Sequence, residues 1–489
     1  MVLLAIYLLV IYHVIIKFGG NVMSNNKLQR NPYSLDVKKS GTLNNSLAFY
    51  YNEIKEILLK GEYEFRQTVQ NDDFNPGYEL PPLDDRMVNF LNCSDVSWTE
   101  IDEYKNVNIT ILNMTKNKET QTTKIFASLI MVARVVAYIN RSGKGVTIIT
   151  PSSANKAMAL REAVLRAISF KLVNPDKINI VSVIPANSIK KLRASGLNDD
   201  IYLNKSNPVL IFDGKKTVKE LVNDFNKRYG AEISASGRNI WFTLTVENYI
   251  YADSLRAMIE MDFIKYFPER IQAHAVSSAY GLLGHNYGIK WLENKIQRDL
   301  KEKYFLVQHL YNPDMVLDLY YDSFSRENVP EYSQESDCLY YQNKTPYFPY
   351  VTSDTQEMLD TTFYSLRPTT SKQMKEIIRN NGGGGIVVSE QECLLRHKEI
   401  KKLLESTSVD IILPESFYDI YERSFSMVFT GVLNAIDRGL IKKYESVLLH
   451  ATGLYCKGDY RCLDLETEII NVCSIEDINK VVTQTFSHG

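Results

Sequence analysis

From about residue 105 the chain alternates short runs of branched apolar residues with longer helical patterns, and few architectures accommodate that alternation. NVNITILNM (106–114), GVTIIT (145–150), INIVSVI (178–184), PVLIFD (208–213), NIWFTLTV (239–246), RIQAHAV (270–276) and ESVLLHA (445–451) read as strands. Between them, 122–140, ANKAMALREAVLRAI (154–168), ANSIKKLRA, TVKELVNDFNKRYG and SLRAMIEMDFIKYF read as helices. The expectation is an α/β protein of two domains, each a largely parallel sheet flanked by helices. A chain of 489 residues also exceeds what one compact core organises. Residues 145–234 are assigned to a small domain, and 105–144 with 235–489 to a large one, interrupted by an insertion near 295–380. Residues 23–104 are polar, carry one helical pattern (SLAFYYNEIKEILLKGEYEF) and read as an extension wrapped on the main body.

Residues 1–22 stand apart. MVLLAIYLLVIYHVII is short of the ~20 apolar residues that span a bilayer, and it lacks a basic n-region and a small-residue cleavage site. It is either a mis-called start ahead of Met23 or a membrane anchor. A cytoplasmic protein is the expectation, with membrane attachment only if this run is retained.

Composition removes several function classes. A net charge of -2 argues against nucleic-acid binding through a basic surface. The six cysteines (Cys93, Cys338, Cys393, Cys456, Cys462, Cys473) form no CxxC pair, which fits neither a zinc site nor a disulfide scaffold. HExxH, GxxxxGK[ST] and GxGxxG are absent, and no metal site is expected.

What remains is a set of strand-to-helix junctions, where ligands of parallel sheets bind. Lys124 ends NKETQTTK and opens IFASLIMVARVVAYI, a helix apolar nearly all round and hence buried. A lysine there either snorkels out of the core or is placed to do chemistry. Strand 145–150 runs into Ser152-Ser153-Ala154-Asn155 at a helix start, which is either an ordinary serine cap or an anion site. RIQAHAV runs into Ser277-Ser278-Ala279-Tyr280-Gly281, either a tight turn or a backbone cradle for an anion. Strand 445–451 ends in Thr452-Gly453.

Taken in order, these four junctions resemble the pyridoxal phosphate enzymes of the tryptophan-synthase-β type (fold type II), whose members carry N-P-T-G-S-F-K, then S-S-G-N, a glycine-rich phosphate loop and a late Ser or Thr. Asn117…Thr120-Gln121-Thr122-Thr123-Lys124 is similar to the first, and Ser152-Ser153-Ala154-Asn155 to the second. ERSFSMVFTGVLNAIDRGLIKKYESVLLHATG and GGGGIVVSEQECL resemble the C-terminal third of threonine synthases. The resemblance spans about 110–460. It departs where Ile125-Phe126 replace the usual Asp-Arg, in the sparse glycine of SSAYG, and at 295–380, which has no counterpart.

The resemblance implies pyridoxal 5'-phosphate in an interdomain cleft, a Schiff base on Lys124, and a homodimer. It implies that Asn155 contacts the cofactor's 3-oxygen, that Ser277, Ser278, Ala279, Tyr280 and Gly281 hold the phosphate, and that Thr452 faces the pyridine nitrogen. Ser152, Ser153 and Ala154 hold the carboxylate of an amino-acid substrate in the same scheme. The implied activity is elimination or replacement at the β or γ carbon. Threonine synthase acting on O-phosphohomoserine, and a catalytically inactive relative that binds or senses, are the alternatives. Burial of Lys124 at a helix start, whose dipole is positive, favours the neutral amine that such chemistry requires.

Overall fold

The computed structural model describes residues 39–66, 74–101, 103–235, 237, 239–243 and 247–486. The apolar leader lies outside the described residues. Two sheets organise the rest. The larger runs in the order β1 (Ser40–Leu43), β2 (Val96–Glu100), β3 (Asn108–Asn113), β15 (Ser446–Ala451), β8 (Ile271–Ala275), β9 (Lys303–His309) and β13 (Gly383–Val388). From β3 to β13 every pairing is parallel. β8 and β15 are buried along their whole length, as near-continuous apolar runs covered on both faces must be. β1 and β2 add antiparallel, so part of the N-terminal extension is an edge of this sheet rather than a wrapping.

The smaller sheet is wholly parallel, in the order β17 (Ile470–Val472), β6 (Val209–Phe212), β5 (Ile178–Pro185), β4 (Val146–Pro151) and β7 (Asn239–Phe242). It therefore draws β7 and β17 from chain outside 145–234. The Ile475–Phe486 helix then packs beside the Val218–Ala235 helix over the same sheet.

The Lys124–Ser142 helix is long and apolar enough to cross a bilayer, but here it is a core helix. It packs against the Asn155–Ser169 helix, with Ile125, Phe126, Leu129 and Val132 among its fully buried residues. Two arginines fasten the N-terminal extension to this pair. Buried Arg134 donates to Gly77 O at 2.6 Å and lies 4.2 Å from the Tyr78 ring centroid. Arg166 donates to Phe90 O and Asn89 O at 2.8 and 2.7 Å.

One expected helix is shorter than its pattern. Ala186–Lys191 forms a 3-10 helix, and the chain then turns extended because residues 192–194 pair with 461–463 through Ala194 N to Arg461 O and Leu463 N to Leu192 O. The 295–380 region supplies β9, the Asp314–Tyr321 helix and the Ser371–Asn381 helix. Between the two helices β10 (Ser333–Gln334), β11 (Tyr340–Tyr341) and β12 (Val351–Thr352) form a small antiparallel sheet. Tyr320 stacks on Tyr347 beneath it, with ring centroids 3.7 Å apart.

Candidate active site

β3, β15 and β8 are neighbours, so the loops after their carboxyl ends are neighbours too. The loop after β3 is built around Asn117, which is buried. Its side-chain oxygen accepts from Thr120 N and Gln121 N at 3.0 and 2.8 Å, and its Nδ2 donates to Thr122 O at 3.2 Å. That turn is laced to the loop after β15: Thr123 N donates to Thr452 O at 2.8 Å, and Leu454 N to Gln121 O at 3.1 Å. Lys124 and Thr452 are thus held side by side by backbone hydrogen bonds.

Lys124 is partly buried and makes no hydrogen bond or ion pair among the described residues; its Nζ lies 4.5 Å from the centroid of the Tyr249 ring. Burial pushes its ammonium pKa below the ordinary lysine value; Asp253 opposes this, Arg256 reinforces it, and Glu422 opposes it weakly. Arg256 is itself fully buried, donates to Asp253 Oδ1 at 2.8 Å and reaches Thr123 Oγ1 at 3.2 Å, one residue from Lys124.

After β4, Ser152 is buried and its hydroxyl accepts from Ala154 N and Ala157 N at 3.2 and 3.1 Å. That hydroxyl is committed to the helix start, whereas Ser153 has no side-chain partner among the described residues. Ala154 adopts φ 103°, a conformation natural to glycine, where the resembled motif has glycine. Asn155 opens the helix and is held on both sides of its amide. Its Nδ2 donates to Glu422 Oε2 at 2.6 Å, and its Oδ1 accepts from the Tyr455 hydroxyl at 2.7 Å.

After β8, Ser277 Oγ accepts from Ser365 N at 3.1 Å, and Ser278 O accepts from Thr370 Oγ1 at 2.7 Å. Ala279 is left-handed at φ 53°, and Tyr280 begins a helix running to Ile296. Gly281 is required by close approach: a Cβ there would lie 2.5 Å from His274 Nε2 and 3.1 Å from Arg256 Nη2. His274 donates from Nδ1 to Ala275 O at 2.6 Å, and its buried Nε2 has no hydrogen-bond partner among the described residues. Burial, with Arg256 beside it, holds this histidine neutral, well below the ordinary value.

Several residues here carried no sequence motif of their own. Tyr455 and Glu422 bond to Asn155, Lys191 bonds to Glu422 and to Asp360, and Tyr249 faces Lys124. Glu422 opens the ERSFS stretch that resembles threonine synthases, so a signal for it existed. Lys191 and Asp360 sit in segments without any.

A sequence profile of the family of unknown function DUF6002 matches residues 42–486. The chain belongs to that family. No curated protein matches the sequence. Among solved structures, threonine synthase from Escherichia coli superposes with a TM-score of 0.52 at 11% identity, covering 88% of this chain and 90% of that one. A threonine synthase from Brucella melitensis, solved with pyridoxal phosphate bound, superposes with a TM-score of 0.50 at 10% identity, covering 88% and 89%. At such identities the likeness shows the fold, which is that of the fold-type-II enzymes, and the DUF6002 chain is a divergent member of that fold.

Proposed function

We propose that this DUF6002 protein is a pyridoxal-phosphate-dependent enzyme that eliminates or replaces a group at the β or γ carbon of an amino acid. One observation carries the reading. Lys124 presents an amine with no hydrogen bond or ion pair among the described residues and a lowered pKa, on a turn bonded to the Thr452 loop. A lysine kept for structure finds a carboxylate or water; one kept for nucleophilic chemistry is desolvated and left unpaired.

The residues present fit the cofactor. Lys124 is the residue that would carry it. The loop Ser277 to Gly281, opening a helix of 17 residues, would hold its phosphate at that helix start. Asn155 would lie beside the ring oxygen and Thr452 beside the pyridine nitrogen, while Ser153 and the amides of its loop would take the substrate carboxylate. When bound, the cofactor supplies the electron sink that stabilises negative charge at the substrate α carbon. The chain's own part is to lower the pKa of Lys124 Nζ by burial, easing loss of its proton, so that the amine accepts a proton at that atom and returns it. Threonine synthase acting on O-phosphohomoserine is the narrower form of this proposal, supported by the order of motifs from 382 to 453. A binding protein without turnover is the alternative, and the engagement of both polar atoms of Asn155 supports it.

The test is chemical. Incubation with pyridoxal phosphate, borohydride reduction and peptide mapping is expected to find the pyridoxyl group on Lys124. Lys124→Ala is expected to abolish the labelling while circular dichroism stays native. Labelling of another lysine instead, Lys191 included, overturns the assignment. An amino-acid panel then separates an enzyme from a binding protein by release of keto acid or a replaced product.

A further inference from the structure

Segment 322–370 carries no motif, yet it delivers Asp360 to a cluster built by three separated parts of the chain. Asp360 is buried; it accepts from Lys191 Nζ at 2.6 Å, from Thr362 N at 2.8 Å and from Arg423 N at 3.0 Å. Lys191, at the end of the 3-10 helix, also donates to Glu422 Oε2 at 3.0 Å. Glu422 closes β14 (Ile420–Glu422), which pairs with β16 (Tyr455–Cys456), the strand that carries Tyr455. Glu422 accepts from Ser424 Oγ at 2.8 Å through Oε1 and from Asn155 Nδ2 at 2.6 Å through Oε2.

Counting donors and acceptors assigns the roles. Both oxygens of Glu422 are engaged, by Ser424, Lys191 and Asn155, so this carboxylate serves the chain and not a ligand. A carboxylate only accepts, so it draws Nδ2 of Asn155 and turns Oδ1 toward the Tyr455 hydroxyl. Flipping the amide would set Oδ1 against the Glu422 carboxylate with no hydrogen between them, whereas the Tyr455 hydroxyl, able to donate or accept, suits either orientation, so the carboxylate decides. After these bonds Asn155 keeps one amide hydrogen and one Oδ1 lone pair.

We propose that Glu422, clamped by Lys191 and Asp360, is the positioning residue that sets the direction of the Asn155 amide, and that segment 322–370 completes the site by supplying Asp360. What Asn155 then touches rests on the cofactor reading above; its orientation concerns the chain alone. Charged groups that hold a polar side chain in one orientation are how sites of this kind are pre-organised.

The experiment uses the full chain labelled with 15N-asparagine, the Asn155 side-chain resonances being assigned by their loss in Asn155→Ala. One Asn155 amide proton is expected downfield and slow to exchange. Glu422→Gln is expected to abolish both properties, and Asp360→Asn to move the resonance in the same direction by less. Tyr455→Phe, which keeps the ring and leaves the ion cluster intact, is expected to shift the amide nitrogen and speed exchange, and it serves if Glu422→Gln does not fold. The dissociation constant for pyridoxal phosphate is expected to rise at least tenfold in Glu422→Gln but less than twofold when Asn155 is already alanine, since a positioning residue has nothing to act through there. An Asn155 resonance indifferent to Glu422→Gln, or an equal loss of affinity in both backgrounds, overturns the proposal. Indifference to Asp360→Asn removes segment 322–370 from it. A wild-type protein that takes up no pyridoxal phosphate while its Asn155 amide still responds to Glu422→Gln overturns the cofactor reading and leaves the positioning intact.

Discussion

Ala154 holds φ 103° and ψ −65°, fully buried between β4 and its helix. A Cβ in that region is strained by about 1–3 kcal/mol, and the unfolded-state advantage of alanine over glycine, about 0.4–1 kcal/mol, offsets only part of it. Ala154→Gly is therefore expected to stabilise the protein by about 1 kcal/mol, read as a higher urea midpoint at unchanged m-value. Destabilisation would mean that the alanine methyl packs better than the backbone suffers. Lys124 shows the same residue-scale logic with the opposite outcome. Its setting is wrong for a solvated lysine in the sequence, and among the described residues its side chain finds neither an ion pair nor a hydrogen bond. Ser152 and Ser153 were indistinguishable as letters, because only the backbone path decides which hydroxyl turns back to cap the helix.

Among the elements, β4, β5, β8 and β15 were read from periodicity nearly to their ends, since they are apolar runs bounded by polar turns. The ion cluster of Lys191, Asp360 and Glu422 was not legible, because its members lie on three segments remote in sequence. Burial raises the cost of each charge. The Lys191 ammonium nonetheless holds the Asp360 carboxyl below its ordinary range, and the two carboxylates hold the Lys191 ammonium above its own. The lowered carboxyl contributes stability above the unfolded value of about 4, lost as pH falls through the folded one; the raised ammonium contributes below about 10.4, lost as pH rises through its folded value. Lys191→Met would leave two buried carboxylates without their cation and is expected to cost about 3–5 kcal/mol in chemical denaturation at neutral pH. Adding Asp360→Asn is expected to recover part of that loss; a double variant no better than Lys191→Met alone would show that lysine packing, not charge, is what was lost.

For the molecule as a whole, stability on the acid side is set by buried histidines and by buried carboxylates that oppose them. His274 and His450 are held well below the ordinary imidazole value by burial and by Arg256, and His309 is lowered by burial, with Phe363 O and Asp360 opposing. The unfolded chain binds protons at His274 and His450 below about pH 6.5 while the folded chain does not, so each of these two contributes a loss of about 1.4 kcal/mol per pH unit, and His309 acts in the same direction until pH reaches its folded value. Glu162 and Glu357, both raised to about 7 by burial, and Glu302, raised well above the ordinary carboxylate value, take up protons in the folded chain first and oppose this loss. Stability is therefore expected to change little between about pH 6.5 and 5, and to fall more steeply over that range in Glu357→Gln. A Glu357→Gln profile no steeper than wild type in urea titrations would show that this carboxyl does not offset the imidazoles. The primary structure by itself determined the α/β class, the order of the elements and the four junctions where ligands of parallel sheets bind, because periodicity and turn chemistry are local. It could not place β7 and β17 in the smaller sheet, nor β1 and β2 on the edge of the larger, since pairing choices among strands are made by burial across the whole chain. Nor could it bring Asp360 and Lys191 to Glu422 and so to Asn155: hydrogen bonds between residues hundreds of positions apart exist only once both sheets are packed.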